Sequence, residues 1–304
     1  MASAVKLGGV IPAIVTPMDE KGNIDLALLK KQAEYLISCG VNGLFVCGGT
    51  GEGAYLTTDE KHDVMREIKR IPAVKNGSVF TCLAAINSNT RAAMAEIKAL
   101  SSLKPDFFVA TAPYYHAMTQ KDLIAHYESI AQTASAPLIV YNIPSTTHNY
   151  IELDTVKTLS KLPNVAGVKD SSGNFINFSR GLFGERTQGF AWIQGEDYLC
   201  GPAMLCGGDG MVSGLSNARA EAYVALYRAA LAGDTKTVMN CQAQINQLYG
   251  IIHAVGNGNA AIKAATEYYG RGARYMRTMS QTVTSEQYAA VSRVLAEYDK
   301  VYGA

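Results

Sequence analysis

Short apolar runs alternate along the chain with longer stretches in which apolar residues recur every three or four positions. Short apolar runs are typical of buried β-strands, and the three-to-four spacing is typical of amphipathic helices. The pattern predicts eight strands, at 10–15, 43–47, 79–83, 106–110, 138–141, 165–169, 191–194 and 210–212. Helices are predicted at 25–39, 58–70, 90–103, 120–134, 153–162 and 218–231. Their expected ends are N-caps at Asp25, Thr58 and Asn89, and a C′ glycine at Gly40.

Strands that alternate with helices in this way match a (β/α)8 TIM barrel, which typically takes about 250 residues. An open, doubly wound sheet is the alternative, because alternation does not distinguish a closed sheet from an open one. No G-x-G-x-x-G follows the first strand, which counts against a dinucleotide-binding fold. After Gly233 the pattern predicts three helices, at 234–254, 259–269 and 284–302. We therefore expect a barrel catalytic domain over residues 1–232 and a C-terminal helical extension packed on it over residues 233–304.

Charge and composition disfavour several kinds of partner and site. A net charge of +1 disfavours nucleic acid and anionic membranes as partners, since both require concentrated positive charge. The six cysteines show no C-x-x-C pair and no histidine at ligand spacing, so we expect free buried thiols rather than disulfides or metal ligands. The N-terminus has no signal-peptide pattern, and no apolar run is long enough to span a bilayer. A reducing cytoplasm is the expected location.

The sixth predicted strand ends on Lys169, and strand alternation points Val165, Gly167 and Lys169 to one face. If that face is the barrel interior, Lys169 lies at the mouth of an apolar cavity. Burial favours the uncharged amine, which would make Lys169 a candidate Schiff-base nucleophile. The alternative is a surface lysine at the end of a strand.

Two further features lie at predicted strand ends, where barrel enzymes carry their functional groups. The 48–53 loop, Gly-Gly-Thr-Gly-Glu-Gly, offers backbone N–H groups and the Thr50 hydroxyl to an anion. It lacks the Lys-Ser/Thr ending of a P-loop, and a tight strand-to-helix turn is its other interpretation. Tyr141 shares a strand face with Ile139, so it is either a proton shuttle beside Lys169 or a core aromatic.

Four motifs follow one another in a specific order: G-x-T-G-E at 48–52, P-Y-Y at 113–115, Y-N-x-P at 141–144 and G-x-K at 167–169. Together they resemble the pyruvate-dependent class I aldolase family. This family includes dihydrodipicolinate synthase, N-acetylneuraminate lyase and the 2-keto-3-deoxy sugar acid aldolases. The resemblance runs from about Gly9 to the final helices.

The resemblance implies a role for each matching residue. Lys169 looks like the lysine that condenses with the keto group of pyruvate, and Tyr141 like the tyrosine that passes protons. Thr50 and the N–H groups beside it look like the clamp for the pyruvate carboxylate. Tyr115 resembles a tyrosine that reaches into the neighbouring subunit's site, which implies a homotetramer built as a dimer of dimers. The family chemistry requires neither a metal nor another cofactor.

Three positions depart from the synthase pattern. Thr146 stands where the synthases have an arginine that grips the carboxylate of the aldehyde substrate, and its loss disfavours the lysine-pathway reaction. Ser171 provides a hydroxyl, as in the sugar-acid aldolases, where the synthases tend to have alanine. Gly49 lacks the hydroxyl of the family's tyrosine relay, although sugar-acid dehydratases of the family also have glycine there.

Asp197 matches the first residue of an Asp-Glu pair that contacts the polyhydroxyl chain in neuraminate lyases, but Tyr198 does not match the second. The resulting prediction is a lyase that reversibly cleaves a 2-keto-3-deoxy sugar acid, or a related 4-hydroxy-2-oxo acid, to pyruvate and an aldehyde. The alternatives are condensation of the dihydrodipicolinate synthase type, dehydration on the same iminium, and non-catalytic binding of a keto acid. The expected substrate-binding residues are Gly49, Thr50, Thr146, Thr147, His148, Ser171, Asp197, Ser213 and Gly214.

Overall fold

The computed structural model describes residues 5–303 and contains one sheet of eight parallel strands. The strands are β1 Gly9–Pro12, β2 Gly43–Val46, β3 Phe80–Ala85, β4 Phe107–Thr111, β5 Leu138–Asn142, β6 Val165–Asp170, β7 Ala191–Gln194 and β8 Gly210–Ser213. Each strand from β2 to β7 pairs with the next, and β8 pairs with β1. A bridge between Ala13 and Phe45 joins the two remaining edges. The predicted (β/α)8 barrel is therefore confirmed.

The barrel strands are separated by helices α1 Leu26–Ser38, α2 Thr58–Arg70, α3 Pro72–Lys75, α4 Thr90–Leu100, α5 Gln120–Thr133, α6 Pro144–Thr147, α7 Leu153–Leu159, α8 Phe175–Phe183 and α9 Cys200–Leu205, and are followed by α10 Glu221–Leu231. Asp25 and Asn89 cap α1 and α4 as predicted, each accepting a hydrogen bond from a backbone N–H of the first turn. The predicted cap at Thr58 is wrong by one residue. Thr57 caps α2, because its hydroxyl and the Glu60 carboxylate form a reciprocal capping box.

Helices α8 and α9 were not predicted. In α8 the buried Phe178 and Leu182 face the barrel, but Ile176 and Phe183 are 73% and 75% exposed. Apolar residues on both faces hide the periodicity by which an amphipathic helix is recognised. Helix α9 has only six residues, which is too short for a periodic pattern to stand out.

Beyond α10 lie helices α11 Thr235–Leu248, α12 Gly250–Val255, α13 Gly258–Tyr268 and α14 Ser285–Tyr302. The predicted helix 234–254 is thus divided in two at Tyr249. Arg271, which follows α13, ties this region to the barrel. Its guanidinium is stacked 3.4 Å from the centre of the Tyr35 ring and donates to the backbone carbonyl of Ala218.

Two apolar clusters fill the barrel region. The interior cluster includes Ile11, Phe45, Val109, Ile139, Tyr141, Ile193 and Val212. The cluster between strands and helices includes their neighbours in sequence Val10, Leu44, Phe108, Val140 and Met211, and also Val168 of β6. Alternate strand residues therefore point inward and outward, as the pleat requires.

The prediction that Val165 points to the same face as Gly167 and Lys169 is wrong. Val165 lies in the outer cluster, and Ala166 packs against the interior one. The cause is a register shift, in which Leu138 pairs with Val165 but the next residue, Ile139, pairs with Gly167. A bulge of this kind inserts one residue and reverses the alternation before it. Gly167 and Lys169 remain on the inward face.

All six cysteines are free thiols, four of them buried, and burial raises the pKa of Cys47 to about 12. No helix within residues 5–303 combines the length and the hydropathy needed to cross a membrane.

Candidate active site

Lys169 occupies the carboxyl end of β6 and is only 5% exposed. Its Nζ lies 3.8 Å from the centre of the Tyr141 ring and 4.6 Å from that of Phe45. Among the residues that the structure describes, no carboxylate pairs with this amine. The surface-lysine interpretation is therefore wrong. The geometry leaves a buried amine at the barrel mouth whose neighbours are aromatic rings.

Tyr141 is the direct neighbour of Lys169 across the β5–β6 ladder. It is 5% exposed and belongs to the interior cluster, where its ring meets Phe45 edge-on with the centroids 6.0 Å apart. Because parallel strands end at the same rim, both side chains lie at the end of the barrel where enzymes of this fold carry their sites.

The 48–53 loop folds back on itself after β2. The N–H of Glu52 donates to the carbonyl of Gly49 at 3.0 Å, and the Thr16 hydroxyl, from the segment after β1, donates to the carbonyl of Gly51 at 2.7 Å. Thr50 Oγ1 lies 2.5 Å from the point that a Cβ atom on Gly214 would occupy, so Thr50 packs directly on the chain after β8. Apart from the two chain neighbours of Gly49, no atom of residues 5–303 lies within 4 Å of the corresponding Cβ position at Gly49. The structure thus brings together Thr50 and Gly214, and leaves open space at Gly49.

Ser171 lies close to Lys169. Its hydroxyl donates to the carbonyl of Gly195 at 3.1 Å, and the Gly195 N–H donates to the carbonyl of Asp170 at 2.8 Å. A Cβ atom at Gly195 would lie 2.1 Å from Ser171 Oγ and 3.0 Å from Lys169 Cε. Any side chain at position 195 would therefore clash with Ser171 and Lys169, so only glycine fits there.

Asp197, which follows β7, and Ser213, the last residue of β8, contact each other. Asp197 Oδ1 accepts hydrogen bonds from the Ser213 hydroxyl at 2.5 Å and from the Tyr223 hydroxyl at 2.7 Å. Burial raises the pKa of Asp197 to about 6, and the nearby Lys169 charge opposes this shift. Tyr223 and its bond to Asp197 could not be inferred from sequence, because 26 residues separate them and Tyr223 lies in an ordinary amphipathic helix.

The three substrate-binding residues predicted in the segment after β5 lie in different environments. Thr146 is exposed, and its hydroxyl donates to the carbonyl of Ile143 at 3.3 Å. Thr147 is 2% exposed and its hydroxyl bonds to the backbone at Ile143 and Asn149, which makes it part of the turn. His148 is exposed and has a left-handed backbone, with φ of 58°.

Tyr115 does not join the cluster around Lys169 within this chain. It is 84% exposed and adopts φ of +83°, a conformation that is strained for a bulky residue. Its ring meets the neighbouring His116 edge-on, with the centroids 4.9 Å apart. Its exposed ring and strained backbone set Tyr115 apart from the buried residues around Lys169.

One charged residue of the loop was not predicted as part of the site. Glu52 has a left-handed backbone with φ of 55°, and its buried carboxylate pairs with Lys263 of α13. Its second oxygen accepts a hydrogen bond from the N–H of Arg277 at 2.9 Å. No local sequence signal could reveal this pairing, since 211 residues separate Glu52 from Lys263.

Comparison with known proteins agrees with this geometry. The model of the dihydrodipicolinate synthetase family matches residues 6–298. A 4-hydroxy-tetrahydrodipicolinate synthase from Methanosphaerula palustris is 32% identical over 96% of this chain and 99% of its own. A protein of the same name from Haloarcula marismortui is 31% identical over 97% of this chain and 94% of its own.

Solved structures agree as well. The dihydrodipicolinate synthase of Aquifex aeolicus superposes with a TM-score of 0.88 at 27% identity, covering 96% of this chain and 98% of the other. A monomeric dihydrodipicolinate synthase variant superposes with a TM-score of 0.89 at 25% identity, covering 96% of each chain. The predicted family resemblance and the prediction of an enzyme of the class I aldolase type are both confirmed. The chain belongs to the dihydrodipicolinate synthetase family.

Proposed function

We propose that this enzyme condenses Lys169 with the keto group of pyruvate and then makes or breaks a carbon–carbon bond between pyruvate C3 and an aldehyde. The observation that carries the proposal is the Lys169 amine, which is 5% exposed, stacked on Tyr141 and not paired with a carboxylate among residues 5–303. Because no carboxylate in that range pairs with the amine, no ion pair has to be broken before the amine can attack the keto carbon of pyruvate.

In the condensing direction, the Lys169 amine adds to C2 of pyruvate, and the resulting carbinolamine loses water to give an iminium. A proton leaves C3, and the electron pair of that C–H bond forms an enamine. The enamine C3 attacks the aldehyde carbon, and the aldehyde oxygen takes up a proton. Water then hydrolyses the iminium, which returns the free amine and releases a 4-hydroxy-2-oxo acid. Cleavage is the same sequence in reverse.

We assign the following parts in this reaction to the other predicted site residues. Tyr141, next to Lys169 in the ladder, would carry protons to and from the carbinolamine oxygen. Thr50 and the backbone N–H groups beside it would hold the pyruvate carboxylate, which fixes C2 against the amine. Ser171, Asp197 and Ser213 would contact the aldehyde half of the substrate.

The names of the relatives favour the condensation of pyruvate with an aldehyde, the reaction type of a synthase. A specific observation favours a second candidate, the lyase for 2-keto-3-deoxy sugar acids. Thr146 stands exposed at the rim, where a hydroxyl cannot replace a bidentate arginine grip on a carboxylate. The Ser171 hydroxyl beside Lys169 adds a group suited to a hydroxylated substrate.

Borohydride trapping tests the shared chemistry. Reduction in the presence of pyruvate should add a stable pyruvyl mass to Lys169, located by peptide mass spectrometry. Lys169→Arg should fold normally and give no adduct, because arginine stays protonated and cannot condense. Lys161→Arg is the matched control and should leave trapping unchanged. An adduct on another lysine, or none in the wild-type enzyme, would refute the proposal.

Product analysis then separates the candidate reactions. Pyruvate release from a 2-keto-3-deoxy acid supports the lyase, and consumption of pyruvate with an amino-acid semialdehyde supports the synthase. Loss of water with the carbon chain retained supports a dehydratase. If pyruvate is trapped but none of these reactions occurs, the protein is a keto-acid-binding member without turnover.

We further propose that the enzyme works as a homo-oligomer, with Tyr115 entering the site of a second copy, and that it resides in the cytoplasm, where its free thiols stay reduced. One structural relative is monomeric, so the oligomeric state of this enzyme has to be measured directly. Analytical ultracentrifugation should give the mass of a tetramer. Tyr115→Phe should slow turnover without altering that mass.

A further inference from the structure

Helix α13 approaches the 48–53 loop with three side chains that lie on one face, since they are three and four residues apart. Asn259 Nδ2 donates to the carbonyl of Gly49 at 3.1 Å. Ile262 Cδ1 lies 3.2 Å from the Cβ position of Gly214, where Thr50 also packs. Lys263 pairs with Glu52 at the other end of the loop. One helical face thus contacts both ends of the loop and the residue on which Thr50 rests.

The contact at Glu52 is fully buried. Both side chains of the Glu52–Lys263 pair are 0% exposed, and Lys263 Nζ also donates to the carbonyl of Tyr275 at 2.6 Å. Burial lowers the pKa of Lys263, and the Glu52 carboxylate opposes that shift. Further hydrogen bonds join this ion pair to the backbone of Tyr275 and Arg277. The pair therefore fixes the left-handed backbone of Glu52, and with it the end of the loop.

The contact at Gly49 is a single hydrogen bond from a partly buried side chain, in contrast to the buried ion pair at Glu52. Its carbonyl already accepts the N–H of Glu52, which closes the turn, and Asn259 adds a second donor from outside the loop. Asn259 is only partly buried, so its replacement should not disturb the core. The carbonyl that it holds belongs to the residue immediately before Thr50.

We propose that α13 is the positioning element of the keto-acid carboxylate site, with Asn259 and Lys263 as positioning residues that set the loop against the substrate. This inference rests on the proposed function. Neither residue touches the reacting atoms. Their loss should weaken binding of the keto acid, while the chemistry at Lys169 proceeds at its usual rate once the site is filled.

Exchange of the pyruvate C3 protons with deuterated water, followed by proton NMR, tests this without the unknown aldehyde. Asn259→Ala should raise the half-saturating pyruvate concentration about three- to tenfold, the equivalent of one lost hydrogen bond, and change the saturated exchange rate less than about twofold. Asn259→Asp should raise it further, because a carboxylate cannot donate to Gly49 and repels the substrate. Asn259→Gln keeps the donor and should restore part of the affinity.

Gln247→Ala is the matched control, since Gln247 accepts a hydrogen bond from Tyr302 in the same C-terminal region and has no contact with the loop. It should match the wild-type enzyme in both parameters. An unchanged half-saturating concentration in a folded Asn259→Ala variant, or a fall confined to the saturated rate, would overturn this proposal alone. If the wild-type enzyme neither exchanges C3 protons nor traps pyruvate, both proposals are overturned.

Discussion

Replacement of Lys263 by methionine should destabilise the protein strongly, because it breaks a fully buried ion pair. Methionine has nearly the same length and volume, so the packing of α13 is preserved and little cavity forms. The substitution leaves the Glu52 carboxylate buried at 0% exposure, with the Arg277 N–H as its remaining donor, and removes the donor to the Tyr275 carbonyl. Breaking a buried ion pair by removing one partner costs about 3–5 kcal/mol.

Dividing this free-energy cost by the entropy of unfolding gives the expected change in melting temperature. About 2.1 cal/mol/K per residue over 304 residues gives about 0.64 kcal/mol/K, so the melting temperature should fall by about 5–8 °C. The double variant Lys263→Met/Glu52→Gln removes the stranded charge and should recover about 2 kcal/mol of the loss. Equilibrium urea denaturation and calorimetry measure both quantities.

Lys30→Met is the matched control, because Lys30 and Glu34 form an exposed pair 3.9 Å apart, with side chains 49% and 51% exposed. Exposed pairs contribute little, so this variant should stay within about 0.5 kcal/mol of the wild-type protein. A loss below about 1 kcal/mol for Lys263→Met would refute the reasoning. So would a double variant no more stable than the single one.

Three further predictions concern buried hydroxyls, a titrating carboxyl and the open space at Gly49. Tyr127 and Tyr223 are both 0% exposed, but the Tyr127 hydroxyl has no partner within residues 5–303, whereas the Tyr223 hydroxyl donates to Asp197. In urea denaturation Tyr127→Phe should therefore be neutral or gain up to about 1 kcal/mol, and Tyr223→Phe should lose about 1.5–3 kcal/mol; equal losses would contradict this. The pKa of Asp197 is raised from 3.8 to about 6 by burial, so the native state keeps a proton that the unfolded chain releases in this range. The unfolding free energy of the wild-type protein, relative to Asp197→Asn, should hence fall as the pH rises through about 6, and a flat difference between about pH 4 and about pH 7 would count against it. Gly49→Thr adds a side chain whose Cβ position has no atom of residues 5–303 within 4 Å apart from its chain neighbours, so it should leave the melting temperature unchanged and raise the C3 exchange rate of pyruvate about tenfold. An unchanged rate in the folded variant would mean that the relay does not need this hydroxyl.

The strands and most helices could be predicted from sequence because their determinants are local. The apolar runs that form β4 and β7 have no polar interruption, and caps such as Asp25 and Asn89 lie next to the turns that they stabilise. Prediction failed where local pattern and packing diverge. The bulge at Val165 depends on register with the neighbouring strand, and α8 presents apolar side chains on both faces.

The sequence by itself determined that strands alternate with helices, and that Lys169, Tyr141 and Thr50 lie at or just after strand ends, because strand ends and short motifs are readable along the chain. Closure of the sheet into a barrel, through the pairing of β8 with β1 and the bridge from Ala13 to Phe45, was decided by the tertiary structure. The tertiary structure decided which of these groups are buried and which residues hold them. Lys169 proved to be an interior amine stacked on Tyr141, and Glu52 proved to be locked by Lys263 from the far end of the chain. Such contacts depend on how α13 folds back over the barrel. Long-range packing of that kind leaves no trace in the spacing of neighbouring residues.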